Sequence, residues 1–413
     1  MLQLEHPISE LKLPSDTIKQ REDAWQTFVN KGFPNKKNEY WRYTDLAALY
    51  KKYDITQVKL ALNEHLNEIL SMINLNTDAY NIVFIDGQLA YVDEIEGVYI
   101  DDSLLLQPKP ENGDTLFSLN IASYLGGVTI ELRNNISLTK PIIMTYLHTD
   151  NSKKMLVNYQ HTLVVGENAE CVICENFVAL GGSFSAAYIC TNIHLKDNAK
   201  CTYDALSNMS LEQLLITHKL CVLVGKNAHY ETFQMAAYAA LKRIEFDVNL
   251  YSEGAVFNAI GVYALANSAK VDYNFNVKHN ASNTQSNVAF RGVVSGKASA
   301  TFNAKAYVAK RLNGIKSLQN NRNIQLSKTS EINTKPELEI YSDDVICSHG
   351  ATIGQLDQEA LFYLESRGIY KDQAKSLLIE GFVKELITLL NRDESTINSY
   401  LEILEENIKY LLK

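Results

Sequence analysis

The chain has 413 residues, with 39 Lys and Arg against 48 Asp and Glu, which gives a formal net charge of −9. The charges are dispersed and form no basic run, so nucleic acid and anionic membrane surfaces are not expected as partners. Hydrophobic residues make up 46% of the chain but occur in runs too short to span a bilayer. The N-terminus, MLQLEHPISE, has no signal-peptide apolar region, and the six cysteines do not resemble a secreted disulfide framework, so we expect a cytoplasmic protein.

The first part of the chain predicts helices followed by a β-hairpin. Apolar residues recur at helical spacing in two stretches, and two β-favouring runs flank an Asp-Gly pair that is typical of a tight turn. A loop rich in Pro, Asn, Gly and Asp follows at 108–114. We interpret residues 1–112 as an N-terminal helical α/β cap. Its predicted elements are a helix that opens at Ser15 and closes at Gly32, a helix over 56–73, and strands over 82–85 and 89–92.

A repeat of short β-favouring runs begins after that loop. The segments GENAEC, KDNAKC, GKNAHY and SEGAVF place an alanine at intervals of 30, 29 and 27 residues. Each alanine follows Asn or Gly, which tolerate the left-handed backbone of a turn. The repeat weakens afterwards, because the similar segment SGKASA lies 43 residues further on. The four alanines are Ala169, Ala199, Ala228 and Ala255.

Repeating units of this size must stack to bury their apolar faces and satisfy their strand edges. We therefore predict a mainly β protein with a parallel β-helix core at 113–350. The alternative is a large antiparallel sandwich, which would not require a turn at near-constant spacing. Helical periodicity returns in a C-terminal domain, 351–413, where Asp357 and Asp393 are placed as N-caps. This helical domain could either cover the open end of the β-helix or bind a partner.

The junction between the core and the C-terminal domain carries the most reactive side chains. A strand is predicted over 338–346 and a helix from Asp357 to Arg367, with Gly368 after its end. Between them lie Cys347 and His349, which share one face of an extended segment. Two ligands are too few for a metal site, so a second chain would have to supply the rest. The alternative is a buried cysteine beside a hydrogen-bonded histidine.

Other candidate residues favour structural roles. Cys171 and Cys174 have C-x-x-C spacing, but residues i and i+3 of a strand face apart, so core packing is expected. Asp343 and Asp344 are adjacent, so they would face apart in a strand, and a corner or solvent-exposed role is expected. Three histidines fall singly in strand-like segments and are expected to be hydrogen-bonded polar groups: His194, His218 and His229.

Several catalytic motifs are absent from the sequence. No P-loop, dinucleotide fingerprint, H-E-x-x-H or nucleophile elbow occurs, so we expect a chain that neither hydrolyses ATP nor acts as an autonomous enzyme.

Two long motifs resemble one known family. The C-terminal motif runs from the strand P-x-L-E-I through D-D-V-x-C-S-H-G-A-T to the helix L-F-Y-L-x-S-R-G-I, and the N-terminal one is G-x-P-x-x-x-x-E-x-W-x-Y-T from Gly32 to Thr44. Both resemble the SufB/SufD family of the SUF iron–sulfur cluster assembly system, and the resemblance spans essentially the whole chain. The family implies a right-handed β-helix core. Since the first cysteine is Cys171 and SufB-type chains carry N-terminal cysteines, the chain is more similar to the SufD side of the family.

The resemblance also implies a function and partners. It implies a non-catalytic scaffold subunit that pairs with a SufB-like paralogue and a SufC-type ATPase to support cluster assembly and iron acquisition. Cys347 and His349 would lie at the paralogue interface and share a metal or nascent cluster with it. No cofactor is expected to bind this chain stably alone, although a transient iron–sulfur cluster is expected in the complex, and a homodimer is a further expectation for the isolated chain. The family's ATPase-docking role falls on the C-terminal helices, where we select Leu361, Phe362, Leu377 and Phe382.

Three alternatives stay open from the sequence. The chain could be the SufB-like scaffold itself. It could be a β-helix enzyme acting on polysaccharide, which the missing signal peptide opposes. It could also be a purely structural interaction protein in which Cys347 and His349 are inert.

Overall fold

The computed structural model describes residues 15–58, 65–102, 114–180, 182, 184–206 and 212–412. The chain divides into two compact units, one of residues 1–200 with 213–222 and the other of residues 201–212 with 223–413. The described helices are α1 (Ser15–Lys31), α2 (Leu46–Lys52), α3 (Leu66–Leu70), α4 (Thr115–Ser123), α5 (Gln358–Ser366), α6 (Lys371–Ile387) and α7 (Glu394–Leu411).

More of the described chain is strand than helix. The described strands are β1 (Gln57–Val58), β2 (Tyr80–Ile85), β3 (Gln88–Val92), β4 (Val98–Asp101), β5 (Gly126–Leu132), β6 (Ile142–His148), β7 (Met155–Val165), β8 (Glu170–Ala179), β9 (Ser185–Leu195), β10 (Lys200–Leu206), β11 (Leu214–Val224), β12 (His229–Ala236), β13 (Leu241–Leu250), β14 (Val256–Leu265), β15 (Lys270–His279), β16 (Gln285–Val294), β17 (Ser299–Val308), β18 (Ile315–Gln325), β19 (Glu331–Ile340) and β20 (Val345–Gly354).

The first unit contains the predicted hairpin and the first solenoid turns. Strands β2 and β3 pair antiparallel, as predicted, and β2 then pairs in parallel with β6, and β6 with β8. The register stacks Phe84, Tyr146 and Phe177 in one column, with ring centroids 5.4 and 4.8 Å apart. The hairpin of the predicted cap therefore shares a sheet with the solenoid strands of its own unit.

The second unit continues the same construction. Strands β12, β14, β16, β18 and β20 pair in parallel in one sheet, and β13, β15, β17 and β19 in another. Inward-facing rings again stack in register at Phe246 and Phe275, whose centroids lie 4.9 Å apart. The parallel β-helix prediction is confirmed, and the antiparallel sandwich is excluded.

The repeated turn residues lie at solenoid corners. Asn168, Asn198, Asn227 and Gly254 all have positive φ, between 52° and 72°. The series does not weaken after Ala255, because Asn283 and Gly314 continue it with φ of 60° and 66°. The segment SGKASA belongs instead to a second corner series, in which Asn267 and Gly296 have positive φ. The wider spacing to Ala298 arises because this residue belongs to the second series.

Three element predictions differ from the structure. The strand predicted over 338–346 is interrupted, because Ser342 and Asp344 accept hydrogen bonds from the preceding turn and close a corner there. The corner role of Asp343 and Asp344 is thereby confirmed. In the helix predicted over 56–73, residues 59–64 lie outside the described residues; of the rest, Gln57–Val58 is a strand and Leu66–Leu70 is the helical part. Helix α4 was not predicted at all.

Two further segments lie near the predicted region boundaries. Strand β20 ends at Gly354 and α5 begins at Gln358, so the strand part of the chain extends past residue 350. The predicted loop at 108–114 lies outside the described residues except for Asp114, which caps α4 through bonds to the backbone N–H of Leu116 and Phe117.

The C-terminal helices pack on the flank of the solenoid. Helices α6 and α7 contact the outer face of the sheet at β14 and β16, where their apolar stripes form one cluster with outward-facing strand residues. The strand side of that cluster contains Phe233, Met235, Ile260, Val262 and Val293. Within the described second unit the helices therefore cover a face of the sheet and leave β19 and β20 as edge strands.

Candidate functional site

Cys347 and His349 lie on β20, the last strand of its sheet. Within the described residues β20 pairs only with β18, so its other edge has no strand partner. The register places Ser317 beside Cys347 and Gln319 beside His349, and both of these neighbours are buried. Cys347 and His349 therefore share the inward-facing side of the strand, as the sequence predicts. Cys347 is half-buried and His349 is exposed.

The surroundings of Cys347 hold it as a thiol. Partial burial raises the pKa of the Cys347 thiol above its ordinary value, and a backbone hydrogen bond from Ser317 acts in the opposite direction. A thiolate is the form that attacks sulfur or binds a metal. A partner, a metal ion or a nearby base must therefore remove the proton before Cys347 can act.

The residues beneath the pair form a polar row that the sequence analysis missed. Strand β18 turns Ser317, Gln319, Asn321 and Asn323 inward, all of them buried. Their period of two in the segment SLQNNRN was the signal that could have identified them.

Hydrogen bonds connect this row to deeper residues. The Ser317 hydroxyl lies 2.9 Å from that of Ser286, which lies 2.9 Å from Nε2 of His279. Further along the strand, Asn323 donates to Asn321 over 2.7 Å and to the carbonyl of Thr352 over 3.1 Å. The inward side of β18 and β20 is thus an ordered polar surface at the sheet edge.

The described residues contain no group of three or more His, Cys, Asp and Glu side chains arranged to hold a metal ion. Cys347 and His349 could supply a soft and a borderline ligand, respectively. A tetrahedral ion bound by both side chains would still lack two ligands. The pair can bind a metal or cluster only together with groups from another molecule.

The remaining candidates lie on other strands, from β8 to β12. Cys171 is buried in the core, as expected, whereas Cys174 is half-buried on the opposite face of β8. His218 is buried beside Glu175, with Nδ1 3.3 Å from the carboxylate and Nε2 2.9 Å from the Thr191 hydroxyl. Of the other two histidines, His194 is half-buried and His229 exposed.

The four residues selected for ATPase docking fall into two pairs. Phe362 on α5 and Leu377 on α6 are exposed, with relative accessibilities of 72% and 45%. Leu361 is buried, and Phe382 is half-buried with Arg291 5.2 Å above its ring. Only Phe362 and Leu377 therefore present their side chains for another protein to contact.

None of the helices in the described part of the chain is long and apolar enough to cross a membrane. The fold and the site together define a solenoid protein that presents an unpaired edge strand with a thiol and an imidazole.

Comparison with known proteins identifies the family. Residues 147–382 match the model of the SufBD core domain of SUF-system iron–sulfur cluster assembly, and residues 11–103 match the SufBD N-terminal region. The chain belongs to the SufB/SufD family, and family membership supports a role in iron–sulfur cluster assembly.

Similar proteins cover nearly the whole chain. The iron–sulfur cluster assembly protein SufD of Escherichia coli is 27% identical over 91% of this chain and 89% of its own length. A SufBD family protein of Synechocystis is 25% identical over 90% of the chain and 86% of its length. The SufD protein of Bacillus subtilis is 24% identical over 88% of the chain and 79% of its own length.

Proposed function

We propose that this chain is a non-catalytic scaffold subunit of SufD type, which pairs with a SufB-like paralogue and a SufC-type ATPase to assemble iron–sulfur clusters and acquire iron. Similarity to relatives named SufD supports the choice within the family. The observation that carries the proposal is the position of Cys347 and His349 on one side of an edge strand. Such an edge can accept a strand from a similar β-helix.

In this proposal the two chains complete the site together. Cys347 and His349 supply one part of the surface on which iron and sulfide are collected, and the paralogue supplies the remaining ligands. His349 acts as a ligand or carries a proton, since an exposed imidazole can do either at neutral pH. The described residues provide no hydrogen bond to the His349 side chain, which leaves both ring nitrogens available for these roles.

The test of the site replaces each residue in the co-expressed complex. We expect His349→Ala to lower cluster content at least about tenfold while complex yield and melting temperature stay unchanged, because no nearby group replaces an interfacial ligand. Cys347→Ser should have the same effect. Ser348→Ala is the matched control, since Ser348 lies between the two on the opposite face of the strand. Loss of stability together with normal activity per complex would contradict the proposal.

The docking role of the C-terminal helices is a separate proposal. A deletion of 357–413 would uncover the apolar outer face of the sheet, so point substitutions are a cleaner test. We expect Phe362→Ala with Leu377→Ala to weaken ATPase binding at least about tenfold, because exposed aromatic and aliphatic side chains often dominate interface energy. Leu389→Ala is the control, as Leu389 is also exposed on this domain. Unchanged binding in a titration of the ATPase would exclude this surface.

A further inference from the structure

The charges of this acidic chain are unevenly distributed. Residues 273–330 contain no Asp or Glu but nine Lys and Arg, in a chain whose net charge is −9. Apart from the adjacent Lys310 and Arg311, the cations are separated in sequence and form no basic run. They are Lys278, Arg291, Lys297, Lys305, Lys310, Arg311, Lys316, Arg322 and Lys328.

Three of these cations are paired within the chain. Lys278 lies 3.0 Å from Asp247, Arg291 lies 2.6 Å from Glu385, and Lys305 lies 2.8 Å from Glu339. The other six are exposed and have no ion pair within the described residues. The uncompensated charge is thus at the surface.

Five of the six occupy a single solenoid turn, which we name the basic band: Lys310, Arg311, Lys316, Arg322 and Lys328. Lys310 and Arg311 form the corner before β18, and Lys328 lies in the corner after it. Lys316 and Arg322 share the outward face of β18, six residues and about 20 Å apart. Solenoid folding therefore places these dispersed cations in one row, along the outward face of β18 and the corners at its two ends.

Two carboxylates close to the band already have partners. Asp344 accepts a hydrogen bond from the backbone N–H of Gly314 at the same corner as Arg311, over 2.9 Å. Glu385 lies near Arg322 but pairs with Arg291. An exposed hydrophobic residue borders the band, because Ile346 is the register partner of Lys316 and is 68% accessible.

We propose that the basic band docks an acidic segment of a protein partner on the outward face of β18. The row is too long for one small anion to contact its ends. A nucleic acid is the poorer fit, because no aromatic side chain is available for base stacking at the outward positions of β18 and β20. An extended acidic segment matches the row in charge and length, and Ile346 supplies apolar contact.

This inference goes beyond the scaffold role, since it concerns the face of the sheet and leaves the edge of β20 free. Charge pairing across such a surface raises the rate of association and weakens with salt.

The experiment measures binding of a fluorescent Asp/Glu peptide of about 20 residues to the full chain at about 50 mM and about 300 mM salt. Wild type should bind, more weakly at the higher salt. Lys316→Glu with Arg322→Glu should lower the affinity at least about tenfold. Lys19→Glu with Lys36→Glu is the control, because it makes the same change in net charge at exposed positions of the other unit. This control should stay within about twofold of wild type.

Four results would overturn the inference. The first two are that the wild type does not bind the peptide, or that both double variants lose the same affinity. The other two are that inorganic phosphate displaces the peptide at equal charge concentration, or that a nucleic-acid duplex binds more tightly through Lys316 and Arg322. Melting temperatures of all variants establish that each is folded. The peptide readout does not depend on cluster assembly, so failure here and failure of the scaffold proposal are distinguishable.

Discussion

At the scale of single residues, His279 shows how hydrogen bonds and burial hold a histidine neutral. The Thr284 hydroxyl donates to the carbonyl of Ala281 over 3.0 Å, so it accepts from Nδ1 of His279 over 2.8 Å. Nε2 is then the acceptor for the Ser286 hydroxyl. Burial lowers the pKa of His279 from 6.5 to about 4.

This shift predicts a loss of stability in acid. The unfolded chain binds a proton on His279 as the pH falls below about 6.5, whereas the folded chain does so only near 4, so stability present above 6.5 is lost between these values. Between about pH 7 and about pH 5, His279 should account for about 2 kcal/mol of unfolding free energy. In urea unfolding, the free energy of unfolding of His279→Gln should therefore fall less than that of wild type over this pH range, by that amount. The same loss in variant and wild type would contradict the assignment.

The corner glycines give a second prediction at this scale. Gly254 has a φ of 72°, and a Cβ there would lie 2.2 Å from Oδ1 of Asn227. We expect Gly254→Ala to destabilise the chain by about 1–3 kcal/mol in urea unfolding. Gly381 is the control, because it lies on α6 with open space around its Cβ position, and Gly381→Ala should be neutral or stabilising by up to about 1 kcal/mol. A neutral Gly254→Ala would show that the corner can relax.

The corner residues were also the part of the fold that was easiest to predict from the sequence. A left-handed turn residue is restricted to few amino-acid types, so Asn168, Asn198, Asn227 and Gly254 mark the solenoid period directly. The two corner series were harder to separate, because both use the same residue types and the spacing alone does not say which corner a residue occupies.

At the scale of elements, helix α4 shows why some structure could not be predicted. Seven of its nine residues are buried, so apolar and small polar side chains surround the helix and produce no amphipathic stripe. Asn120 donates to the carbonyls of Tyr159 and Tyr188, each over 3.1 Å, which fixes the helix against β7 and β9. These contacts involve residues far apart in sequence, and only the Asp114 cap was locally visible.

The attachment of the C-terminal helices depends on a buried ion pair. Arg392, between α6 and α7, donates to both oxygens of Asp204 over 2.9 Å and also contacts Glu231. Tyr400 on α7 donates to the same Asp204 carboxylate over 2.8 Å. Arg392 is nearly buried and Asp204 fully so. This network connects α7 and the turn before it to strands β10 and β12.

Removing the cation should loosen these helices. We expect Arg392→Met to destabilise the second unit by about 3–5 kcal/mol, because Asp204 would keep its charge without its main partner. The double variant Asp204→Asn with Arg392→Met should recover part of that loss. Urea unfolding measures both, and hydrogen exchange in α7 should increase in the single variant. A loss of unfolding free energy below about 1 kcal/mol in Arg392→Met would show that other groups or water stabilise the Asp204 carboxylate.

At the scale of the whole molecule, the candidate site depends on which strand ends the sheet. That Cys347 and His349 share a face follows from strand geometry and was predictable. That their strand lies at the edge of the sheet was not predictable, because this depends on the C-terminal helices packing on the flank of the sheet. Helical periodicity alone does not show which surface a helix covers. The pair is accessible because no described strand follows β20 in its sheet.

The open edge leads to the last prediction, which concerns pairing with the SufB-like paralogue. Ile346 and Tyr341 are exposed at the edge, at 68% and 52%, and lie in or beside the segment 324–346 that we expect to contribute to the interface. A charge placed there would be desolvated on pairing, so Ile346→Lys should lower heterodimer yield on co-expression at least about tenfold, with little change in melting temperature.

Met72→Lys is the control for this prediction, because Met72 is 72% exposed in the other unit and far from β20 in the chain. Its heterodimer yield should equal that of wild type. If Ile346→Lys pairs normally, the paralogue does not use this edge. Cys347 and His349, which face the opposite side of the same strand, would then have to act without a second chain against β20, and that would leave them short of the ligands that a cluster requires.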